Sequence, residues 1–93
     1  MIDKWKAILG LKERTITTEA IDKKQVAYGP EIPEEDRYFI GVHVDQDTGI
    51  ATIYHDRDLT EEDIIHELLH VKYPDWTEEE VNFQTMLYLA ETR

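Results

Sequence analysis

Apolar residues recur along this chain with two different periods, and the period changes where turn-forming residues stand. Ile2, Trp5, Ile8 and Leu9 repeat at helical spacing and Gly10 follows as a stop signal, so a short helix over 2–9, packed on a sheet, is predicted. Arg14 to Thr18 is rich in β-branched residues and reads as a short strand. Residues 19–28 carry both signals: Gln25–Tyr28 reads as strand, while Thr18–Ile21 is also suited to a helical turn. Gly29-Pro30-Glu31-Ile32-Pro33 is a loop, kept exposed by the acids Glu34, Glu35 and Asp36. Tyr38, Ile40, Val42 and Val44 then alternate with Phe39, Gly41 and His43, which is strand periodicity. Asp45–Gly49 makes a turn and Ile50–His55 returns, giving an antiparallel hairpin.

The last third changes to helical period. A capping-type residue and the acids Glu61, Glu62 and Asp63 open a helix over Thr60–Lys72, which Pro74 closes. A second helix over Thr77–Thr92 opens with a Thr77/Glu80 capping box, and Trp76 and Val81 stand at hydrophobic-staple positions. Val81, Phe83, Met86, Leu87, Tyr88, Leu89 and Ala90 supply its apolar surface. The connection Tyr73-Pro74-Asp75-Trp76 is so short that the second helix folds back on the first. The pattern is that of a single small α+β domain over 1–93, with an N-terminal helix, a short antiparallel sheet and two C-terminal helices.

The helix over 60–72 carries the chemistry. Within it stands His66-Glu67-Leu68-Leu69-His70. Histidines at i and i+4 share a helix face, a spacing from which both imidazoles reach one tetrahedral Zn²⁺. Glutamate directly after the first histidine is the place of the general base in zinc peptidases. Ile64, Ile65, Leu68 and Leu69 interleave with the histidines, so the helix is expected to be buried, where two imidazoles need partners. The alternative is a surface helix that merely holds two histidines and an acid.

Composition narrows the chemistry further. With no cysteine in 93 residues, disulfides and thiolate ligands are excluded, so a zinc site must use histidine and carboxylate. The net charge of −11 disfavours nucleic acid and anionic lipid, and favours solubility and basic or unfolded peptide substrates; solvated acidic faces are the plainer reading of the same charge. No apolar run is long enough for a membrane span and the first residues do not read as a signal peptide, so a soluble, cytoplasmic protein is expected.

A catalytic zinc usually has three protein ligands and a water. No histidine follows His70, and the donors within reach are Asp75, Glu78, Glu79 and Glu80. An HExxH helix followed by a helix bearing a glutamate resembles the gluzincin metallopeptidases. It is most similar to the minigluzincins, minimal soluble relatives of the catalytic domains of HtpX-like membrane proteases, and its second helix resembles that of ImmA-type regulatory peptidases. The resemblance spans residues 37–90 and implies a zincin-like fold and zinc-dependent peptide hydrolysis. Gluzincins often pair the ligand glutamate with an aspartate four residues on. Glu78-Glu79-Glu80-Val81-Asn82 fits with Asn in place of Asp, which implies Glu78 as ligand and Asn82 as a brace for a histidine, with Glu79 and Glu80 as alternatives.

The resemblance also makes the strand before the zinc helix the rim on which peptide substrates dock as an added strand. It implies a latent zymogen as one state of such a chain. His55, at that strand's end, is a candidate for substrate or oxyanion contact, although a structural histidine is the commoner case, and His43 lies on the strand before it. Tyr54, Tyr73 and Tyr88 are candidate oxyanion donors against a core reading, while Trp5 and Trp76 read as packing residues. The expected reaction is peptide-bond hydrolysis by a zinc-bound water, with His66, His70 and Glu78 on the metal and Glu67 as base. The competing expectation is a catalytically silent, zinc-stabilised peptide-binding or regulatory module. The apolar surface of the last helix points to a homodimer through it.

Overall fold

A computed structural model describes residues 1–21 and 39–91. The sequence-based readings for 22–38, including the loop at Gly29–Pro33, lie outside the described residues. The described chain runs α1 (Ile2–Ile8), β1 (Ile16–Ala20), β2 (Ile40–Val44), β3 (Ala51–His55), α2 (Glu61–Lys72) and α3 (Glu78–Glu91). This is an α+β architecture of three helices and one three-stranded mixed sheet. No helix among the described residues is long and apolar enough to cross a membrane.

The hairpin forms as its alternation requires. β2 and β3 pair antiparallel with Val42 opposite Ile53. Asp45 closes the turn: its Oδ1 accepts from the amides of Asp47 and Thr48 at 2.9 and 3.0 Å, and Gly49 supplies the positive φ of 74°. Those amide hydrogen bonds, Thr48 first, hold the Asp45 carboxyl below its ordinary pKa. The turn's contribution to stability is therefore present above the ordinary carboxylate range and lost as pH falls through the lowered value. Asp45→Ala is expected to lower the melting temperature at neutral pH and to flatten its decline in acid, as circular dichroism would report.

The sheet departs from expectation at β1. Its order is β1-β3-β2, and β1 runs parallel to β3, with Thr18 beside Ile53. The sheet is thus mixed rather than antiparallel. β3 has both edges filled and cannot add a further strand; β1 and β2 each keep one edge unpaired among the described residues, and of the two it is β2 that borders the cleft. The strand preceding α2, expected to be a docking rim, thus has no edge on which a peptide could be added.

α2 is the hub of the core. Thr60 and Asp63 form a capping box, with the Asp63 amide donating to Thr60 Oγ1 at 3.2 Å and the Thr60 amide donating to Asp63 Oδ2 at 2.9 Å. Ile65, Leu68 and Leu69 are fully buried, with Ile64 and Val71 close to it. Ile64, Ile65, Leu68 and Leu69 meet Ile53 from the sheet and Val81 from α3 in one cluster.

α1 packs chiefly on α2 instead of on the sheet. Its anchor is Trp5, fully buried, whose Nε1 donates to Glu61 Oε2 at 2.8 Å and whose ring meets Tyr88 of α3 edge-on at 6.1 Å. The helix ends in a Schellman arrangement, with Leu11 N donating to Lys6 O, Gly10 N donating to Ala7 O, and Gly10 at φ 71°. Ile8, which the helical spacing placed inward, is 47% exposed, because docking through Trp5 turns it away from α2. Trp5→Phe keeps most of the packing and removes the bond to a carboxylate. It is expected to cost about 1–3 kcal/mol, read as a lower urea midpoint with unchanged slope.

α3 buries Val81, Thr85 and Leu89, one residue per turn. Thr85 is a polar residue in the core, and its hydroxyl donates to the Val81 carbonyl at 2.7 Å. Trp76 lies partly buried against the core at the staple position. Phe83, Met86 and Leu87 face outward, at 59, 57 and 43% exposure.

Candidate metal centre

The tight turn after α2 sets the first turn of α3 over the second half of α2. His66 and His70 project from one face of α2, each about one-fifth exposed, and Glu78 reaches them from the start of α3. Glu78 Oε2 lies 3.1 Å from His66 Nε2, and its Oε1 lies 2.5 Å from His70 Nε2. The two Nε2 atoms are 3.2 Å apart. One carboxylate thus spans two imidazoles that also face each other.

Protons satisfy this triangle badly. If both Nε2 atoms carry hydrogen, both donate to Glu78 but point hydrogens at one another. If only one does, the other turns a lone pair on the carboxylate. A single cation accepts all three donors at once. Ligand atoms roughly 2.0–2.1 Å from a tetrahedral ion are about 3.3 Å from each other, close to two of the three edges here. His66, His70 and Glu78 form the one group of three such donors with ligand atoms within 4.8 Å among the described residues. Two imidazoles and a carboxylate, with no thiolate, are a donor set that suits Zn²⁺.

Of the acids left open by the sequence, the structure brings Glu78 to the histidines and leaves Asp75, Glu79 and Glu80 outside the group. Glu80 serves the helix instead: its amide donates to Thr77 Oγ1 at 3.2 Å and its Oε1 accepts from Gln84 at 3.1 Å. Asn82 lines the cleft one turn beyond Glu78 but makes no hydrogen bond to either imidazole among the described residues. Its expected bracing role is not met in this arrangement.

Glu67 stands apart from the triangle. It is 6% exposed and lines both cavities that flank the group. Burial, then the negative charges of Glu78 and Asp63, push its carboxyl up to about 7. A cation held by Glu78 would oppose the charge contribution and favour the carboxylate. A carboxylate beside a would-be metal, with no hydrogen-bond partner among the described residues, is placed to exchange a proton.

No family model, curated protein or solved structure matches this chain.

The remaining candidates fall away from the cleft. His55 Nδ1 lies 2.8 Å from the Arg57 carbonyl, a structural role. Tyr88 packs on Trp5, and Tyr73 stacks on Trp76 at 3.9 Å. Tyr54 lies on β3, opposite Gly41, and His43 is an exposed residue of β2. None of these lines either cavity. The sequence reading did not place Glu62, Asp63 and Ile40 at the site, yet all three line it. Glu62 and Asp63 had registered only as helix-opening acids. Their spacing held the missed signal, since they stand four residues before His66 and Glu67 and share their face.

Proposed function

We propose that this chain is a zinc-dependent metallopeptidase of gluzincin type, cleaving peptide or unfolded-protein substrates. The observation that carries the reading is the convergence of His66, His70 and Glu78, with buried Glu67 beside them but outside the triangle. In this reading those three residues hold the metal. Zinc bound there supplies Lewis acidity toward a peptide carbonyl and lowers the pKa of a water toward about 7. Glu67 accepts a proton from water at its carboxylate and delivers it to the leaving amine, so the C–N bond breaks as carboxyl and amine form. The free edge of β2, which lines the cleft through Ile40, Gly41, Val42 and Val44, orients an extended peptide by strand addition.

The test is direct. The chain loaded with one equivalent of zinc is incubated with an unstructured protein, and mass spectrometry follows the fragments. Cleavage that stops with a chelator and returns with zinc supports the proposal. Stoichiometric zinc binding with no cleavage by the monomeric protein would leave the silent, zinc-stabilised module in its place.

One observation favours a latent state. Phe83, Met86 and Leu87 form an exposed apolar stripe on α3. Self-association through this stripe gives the homodimer expected from the sequence, and it would constrain the helix that carries Glu78. Light scattering coupled to size exclusion is expected to give about twice the monomer mass, and Met86→Lys to return the monomer. A monomer at high micromolar concentration removes this route to latency.

A further inference from the structure

The cleft differs sharply between its two flanks. Toward the C-terminal end of α2, the cavity of about 400 Å³ has Val42, Val44 and Pro74 in its walls. Toward the N-terminal end lies a cavity of about 310 Å³, bounded by Glu62, Asp63 and Asn82, with Ile40 across from them. Among the described residues, no lysine or arginine lines it. Glu67, buried to 94% and without a hydrogen-bond partner among the described residues, borders the same space. Helix-opening acids are ordinary, and Glu61 shows the ordinary use: it accepts from Trp5 and Lys4 on the other side of α2. Glu62 makes no hydrogen bond or ion pair among the described residues and faces the cavity instead. Asp63 keeps the α2 cap, while its second oxygen lies 3.5 Å from Arg57.

Resting on the peptidase reading above, we infer that this acidic flank is a cation subsite that takes an ammonium or guanidinium group of the substrate next to the cleaved bond. The dimensions suit it. Glu62 stands one helical turn before His66, about 6 Å along the axis, a distance that an extended lysine or arginine side chain covers from a backbone held on β2. Asn82 offers a carbonyl oxygen on the opposite wall, from α3. The carboxylates of Glu62 and Asp63 attract the charge, and Ile40 covers the methylene stem. The other flank has neither acid and suits an aliphatic side chain. The subsite thus assigns specificity to Glu62, a residue outside the metal group and outside the proton transfer. The cation has two sources with the same chemistry, a basic side chain or the substrate's own α-ammonium.

Two readouts separate the subsite from the peptidase reading. In the first, the zinc-loaded chain is titrated by nuclear magnetic resonance with Nα-acetyl-lysine amide, with norleucine amide carrying a free α-amine, and with Nα-acetyl-norleucine amide. One of the two cations is expected to shift the amides of Glu62, Asp63 and Asn82, and the uncharged probe is not; whichever cation binds identifies the source. In the second, peptides differing only by lysine or norleucine at the cut are compared, with an expected preference of about 10-fold for lysine if the side chain is the source. For an α-ammonium source, the comparison is a free against an acetylated N-terminus. Glu62→Lys is expected to remove the cation-dependent shifts and invert the preference. Glu62→Gln is expected to weaken the cation-dependent shifts and the preference without inverting it, in case the reversed charge unsettles α2. Equal response to charged and uncharged probes, or a preference unchanged in both variants, overturns the subsite. Cation binding without any hydrolysis by the monomeric, zinc-loaded protein leaves the subsite standing and removes the peptidase reading. Hydrolysis indifferent to charge does the reverse.

Discussion

Glu67→Gln is expected to bind zinc as the parent chain does and to hydrolyse peptides roughly 10²–10⁴-fold more slowly. The amide keeps the size and shape of the acid but has no basic oxygen, so it cannot take a proton from water. Because Glu67 lies outside the His66–His70–Glu78 triangle, the metal should be undisturbed. The loss should fall on kcat with little change in KM, as expected for a group that acts in the transition state. Stability should move the other way. The carboxylate is buried beside Glu78 and Asp63 with no hydrogen-bond partner among the described residues, so its replacement removes a charge that burial disfavours, and the metal-free variant should melt at higher temperature. Metal content by mass spectrometry, peptide kinetics and calorimetry check the three parts separately. Loss of zinc from this variant would make Glu67 a ligand and overturn its assignment.

What could be read from the sequence was what local spacing determines. α2 and its two histidines were legible because i, i+4 periodicity, a capping threonine and a closing proline lie within a few residues of one another. The β2–β3 hairpin was legible for the same reason, through alternation and the Asp45–Gly49 turn. The parallel pairing of β1 on the far edge of β3 had no local signature, since it joins segments about 35 positions apart. That one non-local contact fills the second edge of β3 and leaves the outer edges of β1 and β2 unpaired among the described residues, so strand addition at β3, expected from the sequence, has no edge to use. A similar reason explains α3. Its apolar residues were counted correctly, but only tertiary packing settles that Val81, Thr85 and Leu89 turn inward while Phe83, Met86 and Leu87 do not. Among the site residues, the histidines followed from spacing on one helix. The glutamate did not, because three consecutive acids point in directions about 100° apart and only the turn between the helices selects among them.

That selection makes the second large prediction. Glu78→Gln is expected to weaken zinc binding by more than the roughly 10–100-fold typical of losing a group that merely orients a ligand, because it removes a donor atom and a negative charge together. His66→Ala and His70→Ala should weaken it comparably. Glu79→Gln and Glu80→Gln should keep stoichiometric zinc: neither acid joins the donor group, and Glu80 is occupied with Gln84 on its own helix. The effect should also appear as stability. A ligand that binds only the folded chain raises its melting temperature by mass action, so zinc should stabilise the parent and the Glu79 and Glu80 variants but not Glu78→Gln. Circular dichroism melts with and without one equivalent of zinc measure this without any assay of activity. The assignment of Glu78 falls if its glutamine variant keeps the zinc-dependent shift while Glu79→Gln or Glu80→Gln loses it. In that case α3 would have to turn by one or two residues to bring another acid to the histidines, and Val81, Thr85 and Leu89 could not all stay buried.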